Sequence, residues 1–138
     1  MRVVLDSNIL ISALISPHSY PHRIYNAWLE NSFELVTCQE QIEEIRQVSR
    51  YQKFAKILQP HRVGLMLNNM RLATVVENLP SGSDYETADP NDSWLLALAD
   101  KSQAHYLVTG DKRAGILSRF KFGQTQLVTA SVFCDKVL

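Results

Sequence analysis

The sequence predicts an α/β fold with a mainly parallel sheet that is covered by helices on both faces. Short apolar runs rich in β-type residues alternate with longer segments whose apolar residues recur at helical spacing. No internal repeat, low-complexity tract or long linker interrupts this alternation, and 80–84 is its one turn-rich break. We therefore expect one domain, residues 1–138, long enough to bury a core without disulfides or structural metal.

The first half of the chain sets the pattern. The apolar run at 2–5 predicts a strand, and a helix over 8–15 should stop near the Ser-Pro pair that follows it. Helical spacing of apolar residues predicts a helix over 22–31, and a β-type run predicts a strand over 33–37. Ile42, Ile45 and Val48 form the apolar stripe of a helix predicted over 39–50.

The second half repeats the pattern. Periodicity predicts helices over 60–71 and 91–103, and apolar β-type runs predict strands over 72–77 and 105–109. The remaining expected elements are a helix, a strand and a short last helix, at 112–120, 125–129 and 130–137.

Composition indicates a cytoplasmic protein. Cys38 and Cys134 are far apart and show no metal-ligand spacing, which is typical of reduced thiols. The apolar N-terminus contains Asp6 and Asn8, which a secretory signal would not carry. No apolar run approaches the roughly 20 residues of a membrane-spanning helix, so we expect no membrane association.

The formal charge is balanced, with 14 basic and 14 acidic residues. A net charge of zero counts against nucleic-acid binding, because phosphate contacts need Lys or Arg. The basic residues nevertheless cluster in two segments, at 46–62 and 112–121. These segments are either phosphate-binding surfaces or ordinary solvated helix faces.

Two acids fall at the carboxyl ends of predicted buried strands. Asp6 directly follows the first strand, and Asp111 follows the strand at 105–109 by one glycine. Asn8 lies two residues after Asp6, and Thr109 lies two residues before Asp111. Ligands of open α/β sheets bind at this edge, and a divalent cation removes the cost of two neighbouring carboxylates. Oxygen ligands of this kind suit Mg²⁺ or Mn²⁺. The alternative is that each acid is a loop residue or a helix cap.

Two further acids are candidates by their position on helices. Asp89 makes a good N-cap before Pro90, whereas Asp92 stands above an apolar stripe and should face inward. Glu44 borders the stripe of the helix at 39–50, while Glu43 lies nearly opposite. For Glu44, a solvated border position is the competing interpretation.

Four segments together resemble the PIN-domain nucleases, and within them a bacterial branch related to VapC-type toxins. They are VVLDSNILISAL, QIEEIRQVSRYQKF, DPNDSWLLALA and AHYLVTGDK, and the resemblance spans nearly the whole chain. It implies a three-layer α/β/α sandwich with an acidic pocket at the strand ends. By position it implies Asp6, Glu44, Asp92 and Asp111 as catalytic and metal-binding acids, with Asn8, Thr109 and Asp89 supporting them.

The resemblance also implies an activity and partners. The expected function is Mg²⁺- or Mn²⁺-dependent endoribonuclease activity on RNA, as the toxin of a type II toxin–antitoxin pair. The expected partners are a small antitoxin protein and a second copy of the chain in a homodimer. A PIN nuclease of RNA processing and a non-catalytic RNA- or protein-binding PIN module are the alternatives. A phosphatase of the haloacid dehalogenase type is disfavoured, because its second acid would stand where the chain has Asn8.

Overall fold

The computed structural model describes residues 1–79, 93–110 and 121–138. Its strands are β1 (Arg2–Leu5), β2 (Glu34–Cys38), β3 (Thr74–Val76), β4 (Tyr106–Val108), β5 (Lys121–Phe122) and β6 (Thr125–Val128). They form one sheet in the order β3-β2-β1-β4-β6-β5. All neighbouring pairs are parallel except β5 and β6, which are antiparallel around Gly123 with its φ of 58°.

The helices of the described residues are α1 (Ser7–Ile15), α2 (Tyr20–Leu29), α3 (Gln39–Val48), α4 (Gln52–Ala55), α5 (Pro60–Arg71), α6 (Ser93–Ser102) and α7 (Ala130–Val137). Buried side chains form one apolar cluster on each face of the sheet. In β1, Val3 and Leu5 belong to the cluster under α1, α2, α3, α5 and α7, whereas Val4 belongs to the cluster under α6. The strands are therefore covered on both faces, and the predicted three-layer α/β/α fold is confirmed.

Most predicted elements are confirmed, and where boundaries shift, local chemistry explains the change. The second helix begins at Tyr20 rather than 22, because the Ser19 side chain accepts from the His22 N–H and Pro21 fits the first turn. The predicted strand over 72–77 is limited to β3, because Leu72 closes α5 by donating its N–H to the backbone carbonyls of Asn68 and Asn69.

Two short elements were not predicted. The single-turn helix α4 follows α3 closely, and only Phe54 packs from it against the core. The strand β5 has two residues and pairs at the edge of the sheet. Neither is long enough to show a period in the sequence. The helix predicted at 112–120 lies outside the described residues.

Among the described residues, none of the helices has both the length and the apolar character needed to cross a bilayer.

Candidate active site

Asp6 occupies the point of the sheet where the direction of strand order reverses. From β1 the chain proceeds through β2 to β3 on one side, and β4 then pairs with the other side of β1. Crevices that bind ligands in parallel sheets lie outside the carboxyl ends of strands at such a reversal. Asp6 directly follows β1, and its N–H donates to the Val108 carbonyl at the end of β4, at 2.9 Å.

The Asp6 carboxylate is held by two donors. Its Oδ1 accepts from the Asn8 backbone N–H at 3.2 Å, which caps the start of α1. Its Oδ2 accepts from the Thr109 hydroxyl at 2.8 Å. Asp6 is 7% exposed and Thr109 is fully buried. These bonds fix the orientation of the carboxylate at the junction of β1 and β4.

Two of the three predicted supporting residues, Thr109 and Asn8, contact Asp6 in different ways. Thr109 contacts the carboxylate with its side chain, from the end of the neighbouring strand. Asn8 contributes its backbone N–H, while its side chain is exposed at the first turn of α1.

Glu43 and Glu44 are both partly buried on α3, and as consecutive helical residues they point in different directions. Arg46 forms a hydrogen-bonded ion pair with Glu43 and holds the pKa of that carboxyl below its usual value. Glu44 is half-buried and follows the fully buried Gln41 by one helical turn. Because Gln41 contacts the residues on either side of Asp6, Glu44 lies on the side of α3 that is turned toward β1.

A buried polar network that the sequence did not predict lies beside Asp6. The Thr37 hydroxyl donates to Gln41 Oε1 at 2.5 Å, and Gln41 Nε2 donates to the Leu5 carbonyl at 2.5 Å. Gln41 Nε2 also lies 3.5 Å from the Ser7 hydroxyl. The available signal was that Gln41 has helical spacing with Ile45 and Val48, which places a polar residue on the apolar stripe.

Asp89, Asp92 and Asp111 lie outside the described residues. Within 1–79, 93–110 and 121–138, no three His, Cys, Asp or Glu side chains lie close enough together to hold a metal ion. Asp6 and Glu44 are thus the two predicted ligands whose positions the structure describes.

The profile of the PIN domain family matches residues 2–113. The chain belongs to the PIN domain family. PIN domains are typically nucleases that use divalent metal ions, and PIN nucleases act on RNA. The chain is also 29% identical over 113 residues to an uncharacterized protein of Methanocaldococcus jannaschii, a match that covers 81% of this chain and 72% of that protein.

The donor chemistry of this PIN domain fits a hard divalent cation. The described side chains at the junction of β1 and β4 are the Asp6 carboxylate and the Thr109 hydroxyl, which offer oxygen atoms and no sulfur or imidazole. Oxygen donors are the ligands that Mg²⁺ and Mn²⁺ prefer. Asp6 would contact the ion, and Thr109 would orient the Asp6 carboxylate.

Cys38 is the last residue of β2 and so lies at the same end of the parallel strands as Asp6, but it is not a suitable nucleophile. Its side chain is fully buried, and burial raises the pKa of its thiol to about 12. Because the thiolate is the reactive form of cysteine, this group is inert at neutral pH.

The first predicted basic segment forms the outer surface around α4 of the PIN domain. From Ile45 through Val76 the chain contains no acidic residue, and its cations include the exposed Arg50, Lys53 and Lys56. Arg46 and Arg50 line a groove of about 480 Å³ between α3, α4 and α5. Most of the second basic segment lies outside the described residues.

Proposed function

We propose that this PIN domain is a Mg²⁺- or Mn²⁺-dependent endoribonuclease whose ligand acids are Asp6, Glu44, Asp92 and Asp111. One observation carries the proposal: a nearly buried carboxylate at the reversal of strand order is oriented by a hydroxyl from the end of the adjacent strand. A structural N-cap would need only the bond from the Asn8 N–H. The additional buried hydrogen bond from Thr109 also fixes the direction of the carboxylate, which supports a role in metal binding.

The four acids would hold the metal together. Asp6, Asp92 and Asp111 would bind the cation, and Glu44 would help to hold that ion or a second one. A bound divalent cation supplies an activated water and neutralises charge on the phosphate under attack. Thr109 and the Asn8 N–H keep the Asp6 carboxylate in place.

The substrate we propose is single-stranded or structured RNA. The segment from Ile45 through Val76 supports this, because it carries exposed cations and contributes no acidic residue of its own in a protein whose net charge is zero. Arg50, Lys53 and Lys56 would contact phosphates on this surface.

We further propose that the nuclease is the toxin of a type II pair, that it acts in the cytoplasm, and that it forms a homodimer. The resemblance of its four segments to VapC-type toxins supports this role. The partner would be a small antitoxin protein that shields the acidic pocket. Growth arrest on induced expression, relieved by Asp6→Asn or by a co-expressed partner, would support the toxin role, and light scattering would measure the oligomeric state.

The test of the nuclease is cleavage of fluorescent single-stranded RNA with Mn²⁺, with Mg²⁺ and with EDTA. The variant is Asp6→Asn, and its matched control is Asp135→Asn, the same change at an exposed site on α7. Metal-dependent cleavage by the wild type and the control, lost in Asp6→Asn, is the expected result.

Two other results would favour the alternatives. RNA binding in EDTA without cleavage on adding Mn²⁺ would indicate a binding module. Cleavage without growth arrest on expression would indicate a PIN nuclease of RNA processing.

A further inference from the structure

The peptide group that joins Leu5 to Asp6 is held from both sides. Its N–H, that of Asp6, donates to the Val108 carbonyl on one side. Its carbonyl, that of Leu5, accepts from Gln41 Nε2 at 2.5 Å on the other. The orientation of this peptide sets the direction in which the Asp6 side chain leaves the backbone.

The Gln41 amide can occupy this position in only one orientation. The Leu5 carbonyl can only accept, so the amide NH₂ must face it. The Thr37 hydroxyl donates to the amide oxygen at 2.5 Å and so fixes that orientation. Thr37 and Gln41 are both fully buried, so water does not compete for these bonds.

Gln41 also connects two parts of the proposed site. Its amide contacts the Leu5 carbonyl and the Ser7 hydroxyl, on either side of Asp6. Its backbone belongs to α3, which carries Glu44 one turn later. A rotation or slide of α3 would therefore break the bond to Leu5 and move Glu44 relative to Asp6.

We propose that Gln41, oriented by Thr37, is a positioning residue that keeps Asp6 and Glu44 in register for metal binding. This inference rests on the proposed function. Gln41 does not itself contact the ion or the RNA in this scheme; it acts through the Leu5–Asp6 peptide and through α3.

The direct test is Mn²⁺ affinity, measured by electron paramagnetic resonance of the unbound ion. Gln41→Glu keeps the shape of the side chain but turns an acceptor toward the Leu5 carbonyl, and Thr37→Val removes the orienting hydroxyl. Outer-shell partners of metal ligands typically change metal affinity about 10- to 100-fold, so we expect a weakening in that range for Gln41→Glu and a smaller one for Thr37→Val. Thr37→Ser restores the hydroxyl and should restore the affinity.

A destabilised control separates positioning from stability. Phe133 is fully buried and contacts Phe33, which directly precedes β2, and Tyr106, which begins β4. Both contacts lie at the amino end of the parallel strands, away from Asp6. Phe133→Leu should lower the melting temperature while leaving the Mn²⁺ affinity of the folded protein unchanged. A merely structural role for Gln41 predicts this behaviour for Gln41→Glu as well.

The outcomes distinguish this inference from the proposed function. If the wild type binds Mn²⁺, Asp6→Asn does not, and folded Gln41→Glu and Thr37→Val bind like the wild type, the positioning role is wrong and the metal site stands. If the wild type binds no Mn²⁺ and cleaves no RNA, both are wrong. Weaker binding by Thr37→Val that Thr37→Ser does not share supports the positioning role even if Gln41→Glu fails to fold.

Discussion

Replacing Thr109 by valine tests whether a neighbouring strand holds the Asp6 carboxylate. The hydroxyl of the fully buried Thr109 donates to Asp6 Oδ2 at 2.8 Å, and Asp6 is 7% exposed. Valine keeps the β-branched shape but removes the donor. Hydrogen bonds to charged groups contribute about 1.5–3 kcal/mol, so we expect a loss near 2 kcal/mol in the free energy of unfolding. For 138 residues this lowers the melting temperature by roughly 6–10 °C.

Thr125→Val is the matched control. Thr125 is also a buried strand threonine, but its hydroxyl donates to the neutral Ala104 carbonyl at 2.7 Å. It begins β6 and so lies at the amino end of the parallel strands, whereas Asp6 lies at their carboxyl end. A neutral hydrogen bond contributes about 1 kcal/mol, so this variant should lose about half as much stability.

Urea unfolding in EDTA measures the stability of both variants, and RNA cleavage in Mn²⁺ measures their activity. We expect Thr109→Val to reduce cleavage about 10-fold or more, as for outer-shell partners of metal ligands, and Thr125→Val to retain it. Equal losses of stability and equal activities in the two variants would show that the Thr109 hydroxyl has no special role in holding Asp6.

Three other experiments test the site and its surroundings. Glu44→Gln should remove most RNA cleavage, whereas Glu43→Gln should leave it unchanged, because Glu43 pairs with an exposed arginine. Burial raises the pKa of Cys38 from 9.0 in an open chain to about 12. The buried thiol therefore contributes its full stability below pH 9, and that contribution is lost as the pH rises toward 12. Mass spectrometry should find Cys38 unreactive to iodoacetamide at pH 8 until urea unfolds the protein. Lys53→Glu with Lys56→Glu should weaken RNA binding and reduce its dependence on salt, by about 0.7 in the logarithmic slope for each phosphate that the protein no longer neutralises.

Each of these expectations has a clear contrary result. Equal cleavage by the two glutamate variants would remove Glu44 from the site. Rapid alkylation of Cys38 in the native protein would show that the end of β2 opens readily. An unchanged salt slope in the double lysine variant would exclude those two lysines as phosphate ligands.

The sheet and its helices were predictable because their signals are local and repeated. The runs at 2–5 and 33–37 consist mainly of apolar residues, which is typical of parallel strands buried on both faces. The stripe of Ile42, Ile45 and Val48 likewise predicts which face of α3 is buried, and all three pack in the core. Boundaries moved where a cap or a closing turn decided them, as at Ser19 and Leu72.

Part of the candidate site followed from the same local signals. An acid directly after a buried strand must lie at the carboxyl edge of the sheet, and Asp6 does. The hydroxyl that holds it comes from Thr109, just after a strand distant in sequence, so only the strand order brings the two together. A polar residue on the stripe of α3 was visible in the sequence, but the Leu5 carbonyl that Gln41 meets is 36 residues away and leaves no pattern.

In the proposed function, the junction of β1 and β4 holds a divalent cation against Asp6. Crystals soaked in Mn²⁺ and measured near the manganese absorption edge would locate the ion directly by its anomalous scattering. We expect a peak about 2 Å from an Asp6 carboxylate oxygen, which Asp6→Asn removes. Manganese bound only elsewhere on the protein, or no peak at saturating Mn²⁺, would contradict it.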